Sequence, residues 1–388
     1  MIPNMFATNR GSAIYTCSDL CVHVGQSDAW SCGYRNLQML LSLLLPTFKA
    51  AEVERDQQEK KREMRLKKRA KAVDMRSSAF VDSGFPSRVV TPSSGQEVID
   101  LTESDCDADD DVGNNKNNTN GYKQRYFGFS VCDGSNEVNA HHTLTRHFPR
   151  SEIPSVATLQ RHLENSWRQG FDPEGAQHYR MKVSGGKEWI GAAEVACLLN
   201  YFSVHASVIQ FIKSPASKAV LGPFVYYYFS QKEDVPATRI LQMAQQWSPS
   251  EIAVAGVYEG TQSRCPLYLQ WEGHSVTIVG IELTIPKKHE AGVLMDPNNI
   301  ELLLFDPQKK GSAIKNKLTA LAKGSWNELI RLPAIKLLKK DCQIVHCSLQ
   351  MLSGYDRYAG RRTVRGLTAK GMNIVTHAGG RVGSSRHV

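Results

Sequence analysis

One stretch constrains this chain more than any other: Asp28-Ala-Trp-Ser-Cys-Gly-Tyr-Arg-Asn-Leu-Gln-Met-Leu-Leu41 reads as a loop ending on a cysteine, followed at once by a helix. Leu37, Leu40, Leu41 and Leu44 fall at i, i+3, i+4 and i+7, which gives the helix one apolar face, and Pro46 is expected to stop it. Cys32 would then face unpaired backbone N–H groups and the positive end of the helix dipole. Both favour thiolate over thiol, the form a nucleophilic cysteine needs. A core cysteine beside a core helix is the reading that this stretch alone leaves open.

Two segments far downstream weigh on that choice. Gln270-Trp-Glu-Gly-His-Ser-Val-Thr-Ile-Val-Gly280 reads as a loop carrying His274 into an apolar strand, and Leu302-Leu-Leu-Phe305 as a second strand that ends on Asp306. Cysteine at a helix start, then histidine and aspartate on neighbouring strands, is the order of a papain-like triad. Together the three segments resemble the Ufm-specific protease family of cysteine peptidases, and among them most the ZUFSP-type deubiquitinases. Gly170-Phe-Asp-Pro-Glu-Gly-Ala176 and Trp189-Ile-Gly-Ala-Ala-Glu194 are similar to family stretches as well. The resemblance runs over Ala13–Pro46 and Tyr122–Leu352.

The resemblance implies an α+β, papain-like cysteine protease fold, a helix lobe packed on an antiparallel sheet, with a disordered insertion. It implies an isopeptidase that hydrolyses the bond after the C-terminal glycine of ubiquitin or a ubiquitin-like modifier. Cys32 would be the nucleophile, His274 the proton carrier and Asp306 the group that orients it. Asp296, before Pro297, competes with Asp306, which is preferred because it terminates a strand. Gln270 resembles the family's oxyanion glutamine, and the Cys32 N–H is a second donor. Trp30 reads as a packing residue that also shapes the channel, and Asp28 as a holder of the loop through backbone hydrogen bonds.

This sequence departs from the family at two points. Ala29 and Ser31 stand where the family usually has glycines, so side chains there would narrow the channel. That is the sequence support for a second hypothesis, a catalytically weak or dead relative serving as a modifier-binding scaffold. In Ufm-specific proteases an Asp-Pro-His unit occupies one loop, whereas this chain has Asp306-Pro307-Gln308. Ubiquitin is therefore favoured as the modifier, with a Ufm-specific protease as the alternative.

Net charge of +9 over 388 residues is unevenly spread. Residues 55–71 hold nine Lys/Arg against three acids, 97–111 hold eight acids and no base, and 357–388 hold seven bases and no acid. Blocks of opposite sign argue for appended interaction segments and against one nucleic-acid-binding face. Residues 11–46 and 122–356 are expected to form the catalytic domain, 47–121 a charged insertion, and 357–388 a basic disordered tail. Within the insertion Lys60-Lys-Arg62 and Lys67-Lys-Arg-Ala-Lys71 resemble a nuclear import signal on an exposed helix. Residues 76–120 are too polar to fold alone. Val98-Ile99-Asp100-Leu101-Thr102, followed by acids, resembles a SUMO-interacting motif. Such a strand can complete its hydrogen bonds at another sheet's edge, which makes SUMO a candidate partner.

Nine cysteines without regular spacing suggest a reducing compartment, and no secretory signal or membrane span is read. The expected location is the nucleus, the cytoplasm or both. Cys17-x3-Cys21-x-His23 lacks the usual fourth zinc ligand, so no metal or cofactor is expected. The remaining pattern predicts a strand at Tyr126–Val131 and a helix capped by Ser155 and closed by Gly170. It also predicts a helix through Tyr201 and strands at Val204–Phe211, Phe224–Phe229, Leu267–Gln270, Val276–Leu283, Leu302–Phe305 and Gln343–Cys347.

Overall fold

The computed structural model describes residues 12–81, 144–246, 264–284, 300–314, 330–352, 366–368 and 371–375, apart from positions 19, 232, 233 and 338. The strand expected at Tyr126–Val131, the segment Val98–Thr102, Cys132, Asp296 and the tail beyond Val375 lie outside the described residues. The chain divides into two compact units, residues 1–56 with 138–388, and residues 57–137. What is described of the second is helix, residues 57–81, with exposed side chains through Arg69.

The first unit carries the sheet and most helices. In chain order its elements begin with β1 (Ser12–Thr16) and α1, which starts at Cys32 and runs to Val81. There follow α2 (Leu144–His147), α3 (Val156–Arg168), α4 (Pro173–His178), α5 (Ala192–Tyr201), β2 (Val204–Phe211), α6 (Pro215–Ser230) and α7 (Ala237–Gln245). The strands then cluster: β3 (Leu267–Trp271), β4 (His274–Thr284), β5 (Ile300–Phe305), β6 (Arg331–Pro333), β7 (Cys342–Met351), β8 (Gly366–Thr368) and β9 (Gly371–Val375). Among the described residues these nine strands form one sheet in the order β6-β5-β4-β3-β7-β2-β8-β9, with β1 pairing to β4. All pairings are antiparallel except β2 with β8. The fold is thus α+β, with helices packed against a predominantly antiparallel sheet.

Alternation along the strands divides the core in two. Leu267 and Leu269 enter one cluster, with Ile209, Phe211, Val276, Ile278 and residues of α6 and α7. Tyr268 enters the other, with Val204, Val208, Val345 and the leucines of α1, α3 and α5. Both sheet faces are covered, which explains why the strands read as continuous apolar runs.

Two expectations are corrected here. Phe224–Phe229 is not a strand but the second half of α6. Its aromatic and β-branched residues favour a strand locally, yet an unbroken apolar run serves a buried helix equally well. Phe224, Val225, Tyr228 and Phe229 are all buried, and the Tyr228 hydroxyl donates to the Cys265 carbonyl at 2.6 Å. Pro46 does not stop α1, which passes through it. An interior proline costs about 3 kcal/mol. Leu43, Leu44, Leu45 and Phe48 lie buried on either side of it, each contributing roughly 1.5–3 kcal/mol, so packing outweighs the lost backbone bond. The Thr47 hydroxyl also donates to the Leu43 carbonyl at 2.8 Å.

The other elements expected within the described residues are present with small changes of length. The Ser155 side chain accepts from the Thr158 N–H at the start of α3, and Gly170 takes a left-handed φ of 85° beyond its end. The strand after His274 starts two residues earlier than read, so His274 is its first residue rather than part of the loop.

Candidate active site

The loop before Cys32 is organised by Asp28. One carboxylate oxygen accepts from the N–H groups of Trp30 at 3.0 Å and Ser31 at 2.7 Å, and the other accepts the Ser31 hydroxyl at 2.8 Å. The helix opens on the Arg35 N–H to Ser31 carbonyl bond, 2.9 Å, which leaves Cys32 in the first turn. No acidic residue sits in that turn to oppose a thiolate. Ser31 is fully buried with its hydroxyl on Asp28, so its side chain serves the loop itself. Ala29 is exposed.

β4 delivers the histidine. Glu272 and Gly273 make the two-residue turn between β3 and β4, Gly273 supplying the left-handed φ of 76°, and the register then pairs His274 with Trp271 and Ser275 with Gln270. β5 runs antiparallel to β4 and ends one residue before Asp306. His274 Nε2 lies 3.0 Å from Asp306 Oδ1, an oxygen that also accepts the Gln308 N–H at 2.9 Å. The other ring nitrogen, Nδ1, is buried and remains for the Cys32 thiol, which interacts directly with the imidazole. Trp271 packs edge-on against the ring with centroids 5.5 Å apart, and Lys340 lies 5.3 Å from the Trp271 centroid. Cys32, His274 and Asp306, expected from three separate segments, are therefore brought together.

The electrostatics follow from this placement. Burial alone would push the Cys32 thiol up, but hydrogen bonds from His274 and Ser275 and the imidazole's charge outweigh it, and its pKa is lowered. Burial likewise opposes a charged His274, yet the hydrogen bonds and charges of Asp306 and Cys32 prevail and raise it to about 9. Asp306 is lowered because its bond to His274 and the imidazole's charge overcome burial. The arrangement favours a thiolate–imidazolium pair. Cys265 is the opposite case: burial pushes its thiol well above the ordinary value.

Gln270 is held at the same corner. Its Oε1 accepts from the Ala192 N–H at 2.6 Å and from the Tyr268 hydroxyl at 3.2 Å, so the amide nitrogen is its donating end. A side chain at Gly191 would bring its Cβ within 2.9 Å of Gln270 Oε1, and one at Gly33 within 2.5 Å of the Ile190 carbonyl. The Trp189–Glu194 stretch is thereby wedged between Gln270 and the first turn of α1, and the Glu194 carboxylate accepts the Gly191 N–H at 2.8 Å. The Gln270 side chain is thus held by protein partners rather than left in solvent.

Two residues were not legible in these roles. Asn36, fully buried one turn after Cys32, donates to the Cys32 carbonyl at 2.8 Å and to the Ser275 hydroxyl at 3.0 Å, and accepts from Thr277 at 2.8 Å. Only its spacing of four from the cysteine hinted at this. His23 points to the Asp306 backbone carbonyl, while Cys17 and Cys21 are buried in the core. Among the described residues no group of three or more His, Cys, Asp or Glu is placed to hold a metal.

A cysteine at a helix start, beside an imidazole that a half-buried aspartate holds, defines a cysteine hydrolase site. Comparison with known proteins gives the family. Peptidase family C78 matches residues 134–344, more than half of the chain, and the chain belongs to that family of cysteine peptidases. Cys32 lies before the matched residues, and it is the fold that brings it to His274. Zinc finger-containing ubiquitin peptidase 1 of Macaca fascicularis is 28% identical over 221 residues, covering 56% of this chain and 33% of its own length. Ubiquitin carboxyl-terminal hydrolase mug105 of Schizosaccharomyces pombe is 26% identical over 148 residues, covering 38% of this chain and 48% of its own. The chain thus spans about a third of the first of these relatives and about half of the second. A solved structure of UfSP from C. elegans overlaps 52% of this chain and 26% of its own, at 14% identity and a TM-score of 0.27, too partial a superposition to carry an argument.

Proposed function

We propose that this chain is a cysteine isopeptidase that hydrolyses the bond after the C-terminal glycine of ubiquitin or a closely similar modifier. The observation that carries this reading is the placement of His274 between Asp306, 3.0 Å away, and the Cys32 thiol. The Cys32 thiolate attacks the glycine carbonyl carbon. A C–S bond forms and the carbonyl electrons move onto oxygen, where the Cys32 N–H and the Gln270 amide nitrogen donate. The adduct collapses as the C–N bond breaks, and the His274 imidazolium passes its proton to the leaving amine. Water then attacks the thioester, His274 takes its proton, and the modifier leaves with a free carboxylate.

Both relatives named above are called ubiquitin hydrolases or peptidases, and Gln308 stands where Ufm-specific proteases have histidine. These two observations favour ubiquitin over Ufm. Residues 11–46 and 122–356 would form the catalytic domain, with 47–121 and 357–388 as appended segments. Residues 98–102, with the acids after them, would bind SUMO weakly, and the basic clusters of α1 would direct the chain to the nucleus. Titration of the full chain with SUMO should show salt-sensitive binding that is lost when Val98, Ile99 and Leu101 are changed to Ala. The test of the main reading is incubation with ubiquitin and Ufm carrying C-terminal electrophiles. Ubiquitin should form an adduct mapping to Cys32. Reaction with Ufm alone would transfer the reading to a Ufm-specific protease, and reaction with neither would overturn it.

A further inference from the structure

We propose that exposed lysines around the His274 end of the sheet form a docking rim for an acidic segment of the protein from which the modifier is removed. The inference rests on the isopeptidase reading above, because it concerns the leaving group of that reaction.

The strand register gathers the rim. Trp271, the last residue of β3, pairs with His274, the first of β4, and also with Cys342, the first of β7. Cys342 in turn pairs with Phe211, the last residue of β2. β5 runs antiparallel to β4 and ends at Phe305, just before Asp306. The segments that leave or enter these strands therefore turn at one end of the sheet, beside the catalytic imidazole. They carry Lys213 after β2, Lys309 and Lys310 after β5, and Lys339 and Lys340 before β7, all five exposed. Lys340 is placed directly: its Nζ lies 5.3 Å from the centroid of the Trp271 ring, which itself lies 5.5 Å from the imidazole. The Lys213 N–H donates to the Asp341 carboxylate, which ties the end of β2 to the same corner. Among the described residues none of the five ammonium groups enters an ion pair. Asp306 is committed to His274, which leaves Glu272 and Asp341 as the opposing acids of these turns, so the rim keeps a positive field.

The reaction says what faces this field. His274 gives its proton to the departing amine, so the leaving nitrogen sits on the imidazole side of Cys32. The protein that owns that amine emerges over the same turns, while the modifier lies on the other side of the scissile bond. By contrast, the stretch that leads to the first turn of α1 exposes Lys187 and Glu188, whose charges cancel. The occupant is a protein, since the departing amine belongs to one. A one-sided positive rim favours carboxylates around the modified lysine and disfavours a basic stretch there.

The test varies only the leaving group. Ubiquitin is joined through an isopeptide bond to the lysine of three peptides, with acidic, Gly/Ser-rich or basic flanks, and kcat/KM is measured with the full chain. The acidic conjugate should be cleaved about tenfold faster than the basic one at low salt, with the neutral one between, and salt at about 0.5 M should level the three. Lys309→Glu combined with Lys310→Glu should reverse the ranking. Lys213→Glu combined with Lys339→Glu should do the same, and carries the test where melting shows the first pair unfolded. Equal cleavage of all three conjugates by the unaltered protein, or an unchanged ranking in the charge-reversed variants, would overturn the inference. The ubiquitin electrophile has no departing protein. A charge reversal that slows its adduct as much as it slows the acidic conjugate would place the lysines against the modifier, and the inference would fail. Changing the acids of residues 97–111 to amides should leave the ranking as it is. If that change speeds every conjugate by one factor and levels them, this segment occupies the rim and the inference is again wrong. Absence of any adduct in the unaltered protein would overturn the isopeptidase reading itself, and this inference with it.

Discussion

His23 donates from Nε2 to the backbone carbonyl of Asp306 at 2.9 Å, joining the segment before the nucleophile to the turn that carries the acid. The Gln26 N–H reinforces the link by donating to the Pro307 carbonyl at 2.7 Å. Burial lowers the His23 pKa despite the pull of Asp306, so the ring stays neutral near pH 7 and its Nε2 hydrogen serves as a plain donor. His23→Leu should therefore lower kcat by about tenfold through misplacement of Asp306, with little change in KM. Steady-state kinetics on a fluorogenic ubiquitin substrate would check this. An unchanged kcat would mean that the Gln26 bond alone holds the turn.

The triad should respond to substitution in a graded way. Cys32→Ala is expected to abolish cleavage and adduct formation without unfolding, since only a sulfur at the helix start is removed. His274→Ala should lose roughly 10²–10⁴-fold in kcat, and Asp306→Asn less, because the base moves protons while the acid orients it. Cys265→Ser should keep most of its activity, since that thiol is buried and held far from ionisation. Activity retained in Cys32→Ala but lost in Cys265→Ser would move the nucleophile and end the mechanism proposed above.

The pH profile of kcat/KM should be a broad bell. Cys32 is lowered, so the thiolate is present above its folded-state pKa and lost as pH falls through it. His274 is raised to about 9, so the imidazolium is present below that value and lost as pH rises through it. Asp306→Asn removes the charge that supports the imidazolium, and the alkaline limb should move to lower pH. A limb that stays near pH 9 in this variant would assign it to another group.

How much of this was legible follows from what each segment asks of its neighbours. Strands β3, β4, β5 and β7 show in the sequence because their apolar runs are short and bounded by turns. The run at Phe224–Phe229 looks the same, and only its packing between the sheet and α7 makes it helix. The leucines at 37, 40, 41 and 44 announced one apolar face, but Met39, Leu43 and Leu45 are equally buried, so α1 is enclosed on several sides. That enclosure carries the helix through Pro46 and hides Asn36, a polar residue whose partners lie 239 and 241 positions away. Asp28 was legible because its partners are its own neighbours. Asn36 was not, because two of its three hydrogen bonds, to Ser275 and Thr277, are made by the tertiary fold.

The glycine at position 191 gives the sharpest test of Gln270. A methyl group there would lie 2.9 Å from Gln270 Oε1 and 3.0 Å from Nε2, the far end of a flexible side chain that can swing away. Gly191→Ala should therefore fold but displace the amide from the Ala192 N–H that aims it. A misplaced oxyanion donor costs up to about 10²–10³ in kcat. Gly33→Ala meets the Ile190 carbonyl at 2.5 Å, backbone that cannot swing, so stability should fall there as well. Thermal melting separates the two: a lowered midpoint is expected for Gly33→Ala, and a near-normal midpoint with depressed kcat for Gly191→Ala. Gln270→Ala should match Gly191→Ala in kcat, and the double variant should lose little more than either, since both remove one donor. Full turnover in Gln270→Ala would take Gln270 out of the oxyanion site and leave it a brace for the start of α5.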